Sequence, residues 1–174
     1  PTGGSNVLNP TLSWNSAANA EYYKLYLWKA RGNPDAGGNA LIGVYNGHAY
    51  YKSNDLVTWE TAKANCESWG AHLMTINSQD ENDIAPGDFS YWIGMHDTAT
   101  EGDIHWVTGE QINYTNWGTD EPNGDTEDYM HVRTDKKWND NTASATMRYL
   151  VEYPGTILDG KVVTGTSYSL KDAN

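Results

Sequence analysis

The segment DEPNGDTED (120–128) holds five carboxylates and one amide within nine residues, and WND (138–140) adds an amide and a carboxylate shortly afterwards. Calcium takes about six to eight oxygen ligands from carboxylates, amide carbonyls and backbone carbonyls. Glu121, Asn123, Glu127, Asn139 and Asp140 supply that oxygen inventory. Neither segment contains His or Cys, which points away from transition metals. A solvated acidic loop has the same composition, so residue types alone leave both readings open.

The acids are unevenly spread. Net charge is −12, and residues 44–153 hold 19 of the 23 acids against six of the 11 bases. Within 97–140 eleven acids face three bases, Arg133, Lys136 and Lys137. Phosphate recognition needs a basic footprint, so nucleic acid is not an expected partner. An anionic membrane surface is disfavoured for the same reason. No run reaches the roughly 20 apolar residues of a spanning helix. The opening PTGGSNVLNP has no leader-like pattern, so targeting information is expected to lie outside this sequence, in a longer multidomain chain.

Several elements must position these acids. Thr58 is a candidate N-cap for a helix over Trp59–Trp69, with Glu60 in the first turn and Gly70 as the terminator. Trp59, Ala62, Cys66 and Trp69 form its apolar stripe. Cys66 is the only cysteine, so an internal disulfide is excluded, and the thiol is expected to be a small buried hydrophobe. Ser78-Gln79-Asp80-Glu81 fits a capping box, and Pro86-Gly87 makes that second helix short. Asn46-Gly47 marks a hairpin within LIGVYNGHAYYK (41–52). The segments YWIGM, IHWVT, DYMHVR, KKWND and RYLVEY read as short strands, and KVVTGTSYSL as one or two more. The fold class is α+β, mostly antiparallel strands with two helices.

Residues 43–153 resemble a C-type lectin-like domain. The resemblance rests on Trp59, Ala62, Cys66, Gly70, Leu73, Ile76 and Glu81 at the family's spacing, on YWIG and WVTG, and on the EPN and WND motifs. It implies a looped fold with a long calcium-binding loop. It implies a primary calcium site of Glu121, Asn123, Glu127, Asn139 and Asp140, with a cis peptide bond before Pro122. The same Glu121, Asn123, Glu127 and Asn139 would contact sugar. EPN is associated with mannose-type sugars, including fucose, and Gln-Pro-Asp with galactose-type sugars. A second, structural calcium ion is implied at Asp97, Glu101 and Asp128, with the Glu127 carbonyl beside them. The sequence departs from the family at its two usual disulfides. Val151 stands where the partner of Cys66 would be, and Tyr129 and Ala143 stand at the second pair. That departure suggests a bacterial surface protein.

The flanks, 1–42 and 154–174, resemble parts of a split fibronectin type III-like sandwich hosting the central domain. Together these features lead to an expected extracellular, cell-surface adhesin module that binds glycans on a host or neighbouring cell. The alternative is a calcium-scaffolded lectin-like domain that binds protein or ice. Enzyme chemistry is not expected. A glycosidase needs a carboxylate pair free of metal, and the five His residues show no grouping with a nucleophile.

Overall fold

The computed structural model describes residues 38–154 with their side chains, and 11–13, 23–28, 156–163 and 167–169 as backbone. The chain divides into two compact units, one of 1–28 with 156–174 and one of 29–155.

The first unit contains two antiparallel pairs. β1 (Thr11–Ser13) pairs with β12 (Ser167–Ser169), and β2 (Tyr23–Trp28) pairs with β11 (Thr156–Val163). Trp28 lies opposite Thr156, so the chain leaves this unit and re-enters it at adjacent positions.

The central unit is built on one sheet ordered β3-β4-β10-β6-β8-β9, with β5 (His72–Leu73) on β10 and β7 (His105–Trp106) on β6. β3 (Ala40–Tyr45) and β4 (His48–Lys52) form the hairpin expected at Asn46-Gly47. Both turn residues have positive φ, 49° and 82°, which suits Asn-Gly and matches the strand twist. An expected boundary at 42/43 falls inside β3, and the whole strand belongs to the central unit. β6 (Tyr91–His96) runs parallel to β10 (Arg148–Tyr153) and antiparallel to β8 (Tyr129–Val132), which pairs with β9 (Trp138–Asn141).

α1 spans Trp59–Ser68, and the Thr58 hydroxyl accepts from Thr61 N. Trp59, Ala62 and Cys66 are buried as the stripe requires. Trp69 is not. It is the C-cap, half-buried, and its ring stacks on Tyr149. Gly70 follows with φ 75°, a left-handed conformation that costs glycine nothing. α2 spans Gln79–Ile84, with Ser78 Oγ accepting from Glu81 N at 3.2 Å. Glu81 reaches back to Asn77 N at 2.8 Å, so the box closes one residue earlier than expected.

Tryptophans join the layers through their ring N–H groups. Trp138 donates to Asn82 Oδ1 at 2.8 Å, Trp59 to Ile93 O at 2.7 Å and Trp92 to Val57 O at 3.0 Å. Burying the rings removes large apolar areas from water, and each donor is satisfied. Glu152, 1% exposed, is satisfied likewise by Thr75 N, Thr75 Oγ1 and His48 Nδ1. Cys66 is fully buried and free, and burial pushes its thiol pKa up, so it behaves as an apolar side chain. Tyr129 packs on Trp59 at 4.9 Å between ring centroids and donates to Glu60, so an aromatic contact stands at one position where the resemblance implied a cysteine. Among the described residues no helix is long and apolar enough to cross a membrane.

Gly94, in the middle of β6, has no room for a side chain. A Cβ there would lie 2.6 Å from the Leu73 carbonyl oxygen and 2.8 Å from Val107 Cγ2. Replacing Gly94 by Ala is expected to cost about 1–3 kcal/mol in denaturant unfolding, because the first contact is backbone and cannot swing away. A loss below about 0.5 kcal/mol would mean that β5 and β6 separate freely.

Candidate metal and carbohydrate site

β9 carries one half of the candidate site. Trp138 is fully buried and is contacted edge-on by Trp106, Tyr114 and Trp117, with ring centroids 5.7–5.9 Å apart. This anchor fixes the strand, and alternation then sets its neighbours. Asn139 is half-buried and lies opposite His131, while Asp140 is 2% exposed and lies opposite Met130.

The 120–128 loop folds over this strand. Asp140 Oδ2 accepts from Asn123 N and Gly124 N, both at 3.1 Å. Asp120 takes φ 61°, and the Glu121–Pro122 peptide is cis, as the resemblance implied. Glu121 Oε2 accepts from the Asn123 amide at 2.5 Å. Asn139 donates its amide to the Asp140 carbonyl. Glu127 N bonds to Gly124 O at 3.0 Å, and a Cβ on Gly124 would lie 2.4 Å from Glu127 Cγ and 2.6 Å from its Oε2. Glycine at 124 therefore makes room for the Glu127 side chain over the loop. Of the five expected residues, Glu121, Asn123, Asn139 and Asp140 are linked by these hydrogen bonds, and Glu127 joins the same loop through its bond to Gly124.

Electrostatics in this network are those of crowded carboxylates. Partial burial and the Asp140 carboxylate raise the Glu121 pKa, Arg133 opposes them, and Glu127 adds to the rise. Asp140 Oδ1 is buried with no hydrogen-bond partner, and such an atom is costly unless an ion or water satisfies it. The donor set, three carboxylates and two amides, suits a hard cation such as calcium. Among the described residues no three His, Cys, Asp or Glu side chains already converge as a metal shell.

Asp97, Glu101 and Asp128 lie beside the β6 and β8 ends. Asp97 is 4% exposed, its N bonds to Asp128 O at 3.2 Å, and its Oδ2 accepts from Gly102 N at 2.9 Å. Its Oδ1 is the second buried carboxylate oxygen without a partner. Glu101 is exposed, and its pKa is raised by partial desolvation and then by Asp97, Asp125, Asp128 and Asp140. These residues also have the chemistry of a hard-cation site. Glu127 and Asp128 are consecutive, so the loop couples the two clusters.

Two features beside the site carry no signal in residue spacing. Arg133 and Glu121 both approach Gly118, whose Cβ would lie 3.1 Å from Arg133 Nη1 and 3.2 Å from Glu121 Cγ. His131 is buried against Trp92, and burial followed by the Arg133 charge pushes its pKa down to about 4. The folded state thus refuses a proton that the unfolded chain accepts near pH 6.5. Stability is expected to be intact above pH 6.5 and to fall by about 3 kcal/mol as pH drops toward 4. In calcium-free buffer His131→Phe should remove that part of the acid loss, measured by urea unfolding at pH 7 and 4.5. An equal acid loss in the variant would assign it to the carboxylates instead.

The sequence profile of the Lectin C-type domain matches residues 55–151. Relatives include C-type lectin domain family 4 member F of Mus musculus, 39% identical over 55% of this chain and 20% of that protein. Halomucin of Haloquadratum walsbyi is 31% identical over 68% of this chain and 2% of that protein. The chain spans 2% to 56% of the length of the first three curated relatives it matches. A solved structure of the cow C-type carbohydrate-recognition domain of CD23, in the presence of GlcNAc2Man3 oligosaccharide, superposes with TM-score 0.58. It is 26% identical and covers 62% of this chain and 88% of that one. Profile, relatives and fold agree, and the chain belongs to the C-type lectin domain family.

Proposed function

We propose that the central unit binds carbohydrate through calcium held by Glu121, Asn123, Glu127, Asn139 and Asp140. The single observation that carries this is the buried, partnerless Asp140 Oδ1 beside a Glu121 whose pKa is raised. A bound calcium ion would neutralise that charge and accept lone pairs from two vicinal sugar hydroxyls. Glu121 and Glu127 accept the hydroxyl protons, while the Asn123 and Asn139 amides donate to the hydroxyl oxygens. Asn123 now donates to Glu121, a contact that the sugar would replace. This acid–amide order favours mannose-type sugars, including fucose. Asp97, Glu101 and Asp128, with the Glu127 carbonyl, form a second calcium site that orders the loop.

In this proposal the unit is the ligand-binding module of an extracellular cell-surface adhesin, with glycans of a host or neighbouring cell as partners. The flanking strands belong to a split sandwich-like host. Their support is the pairing of Trp28 with Thr156, which lets the central unit be an insertion. Relatives carry lectin and receptor names, among them Hepatic lectin of Gallus gallus and Asialoglycoprotein receptor 2 of Mus musculus, which supports binding rather than catalysis.

Calcium is the direct test. It binds the folded chain, so calcium at about 100 times its dissociation constant should add roughly 2.7 kcal/mol of stability. The melting temperature should rise with calcium and fall back with chelator. An unchanged melting temperature in millimolar calcium would remove the metal from the proposal.

A further inference from the structure

Gly118 leaves room for two side chains that are 12 residues apart in sequence. A Cβ there would lie 3.1 Å from Arg133 Nη1 and 3.2 Å from Glu121 Cγ, so both approach the space that a side chain at 118 would fill. A cleft of about 530 Å³ opens beside it, lined by Trp117, Gly118, Thr119, Arg133, Asp135 and Lys137.

The lining is unusual for this chain. Between 97 and 140 there are eleven acids and three bases, yet two of those bases line this one cleft. The third, Lys136, is used elsewhere, donating to the Asp83 carbonyl at 2.7 Å. Lys137 Nζ is held by a neutral acceptor, Asn116 Oδ1, at 2.6 Å. Its charge therefore has no counter-ion in that contact. Arg133 meets Asp135 at 3.3 Å, but the two side chains are 42% and 52% exposed. Such a pair is weak and open to exchange. Trp117 is half-buried, braced edge-on by Trp138, and provides an aromatic surface of the kind on which a sugar ring can rest. Thr119 adds a hydroxyl.

We propose that this cleft is a subsite for an acidic sugar residue, whose carboxylate or sulfate ester is taken by Arg133 and Lys137. The residue is the neighbour of the sugar held at Glu121 and Asn123. The inference rests on the proposed primary site, because that site anchors the glycan. Arg133 presents a planar donor fork suited to an oxyanion, and Lys137 a point charge. Asp135 acts as the internal competitor that the ligand displaces.

The test titrates the 174-residue chain in calcium at low salt. Its probes are methyl α-mannoside and three disaccharides, with mannose linked to a neutral hexose, a hexuronate or a sulfated hexose. An acidic disaccharide should bind about three- to tenfold tighter than the neutral one. The preference should vanish near 1 M NaCl, where the screening length is about 3 Å. Comparing the hexuronate with the sulfated sugar identifies which oxyanion the cleft takes. Lys137→Gln should bring the acidic-to-neutral affinity ratio toward one, and Asp135→Asn should raise it. Equal affinity for all three disaccharides overturns the subsite, as does a ratio that Lys137→Gln leaves intact. Neutral binding without acidic preference sinks the subsite alone. Failure of methyl α-mannoside to bind in calcium sinks the primary site and the subsite with it.

Discussion

Replacing Asp140 by Asn is expected to weaken calcium binding about 100-fold or more and to remove calcium-dependent sugar binding. Asp140 has two roles that this change separates. Its Oδ2 holds the Asn123 and Gly124 backbone N–H groups, and an amide oxygen can accept from both. Its Oδ1 is buried and partnerless, and in the proposed site it would bind the cation. Removing one of three carboxylates from a divalent site lowers its affinity directly, and such sites are tuned by ligand charge. The same change relieves the repulsion that raises Glu121. The calcium-free variant should therefore melt at the wild-type temperature or above while its calcium-dependent shift disappears. Calorimetric calcium titration with paired melting curves reads both effects. A variant that loses calcium binding and also melts well below wild type would instead mark Asp140 as a structural brace.

Exchanging the acid and amide of the motif, Glu121→Gln with Asn123→Asp, should keep calcium and change the sugar. The pair keeps one carboxylate and one amide, so the charge around the ion is conserved. Proton acceptor and donor change places, however, and the diol that suited the first arrangement now meets unpaired groups. Mispairing a buried hydrogen bond costs about 1–3 kcal/mol, so the mannose-to-galactose affinity ratio should fall tenfold or more. Competition with methyl α-mannoside and methyl α-galactoside measures it. An unchanged ratio would show that 121 and 123 do not read the hydroxyls.

Much of this arrangement was legible in the sequence because it depends on local rules. Thr58 and Ser78 cap helices through their own side chains, Asn46-Gly47 turns a hairpin, and the EPN and WND segments name their donors by type. Trp69 was misplaced by periodicity alone. Its position lies where the helix has already ended, and the ring turns to Tyr149. Contacts between distant segments left no spacing to read. Trp138 is fixed by Asn82, 56 residues away, and Arg133 and Glu121 both approach Gly118, whose N bonds to the Trp138 carbonyl at 2.8 Å. The parallel pairing of β6 with β10 and the pairing of both flanks likewise depend on the closed fold. The expectation of a cation at Asp97 and Asp140 came from the resemblance and their residue type. Their burial, with one oxygen each left unpartnered, came from the packing of β6 and β9.

The most direct measurement is a titration of the protein with methyl α-mannoside, L-fucose and methyl α-galactoside, in millimolar calcium and again in excess chelator. The expected result is calcium-dependent binding of mannoside and fucose, weaker or absent binding of galactoside, and no binding of any sugar in chelator. Sugar binding that persists undiminished in chelator would contradict a calcium-bridged site at Glu121, Asn123, Glu127, Asn139 and Asp140.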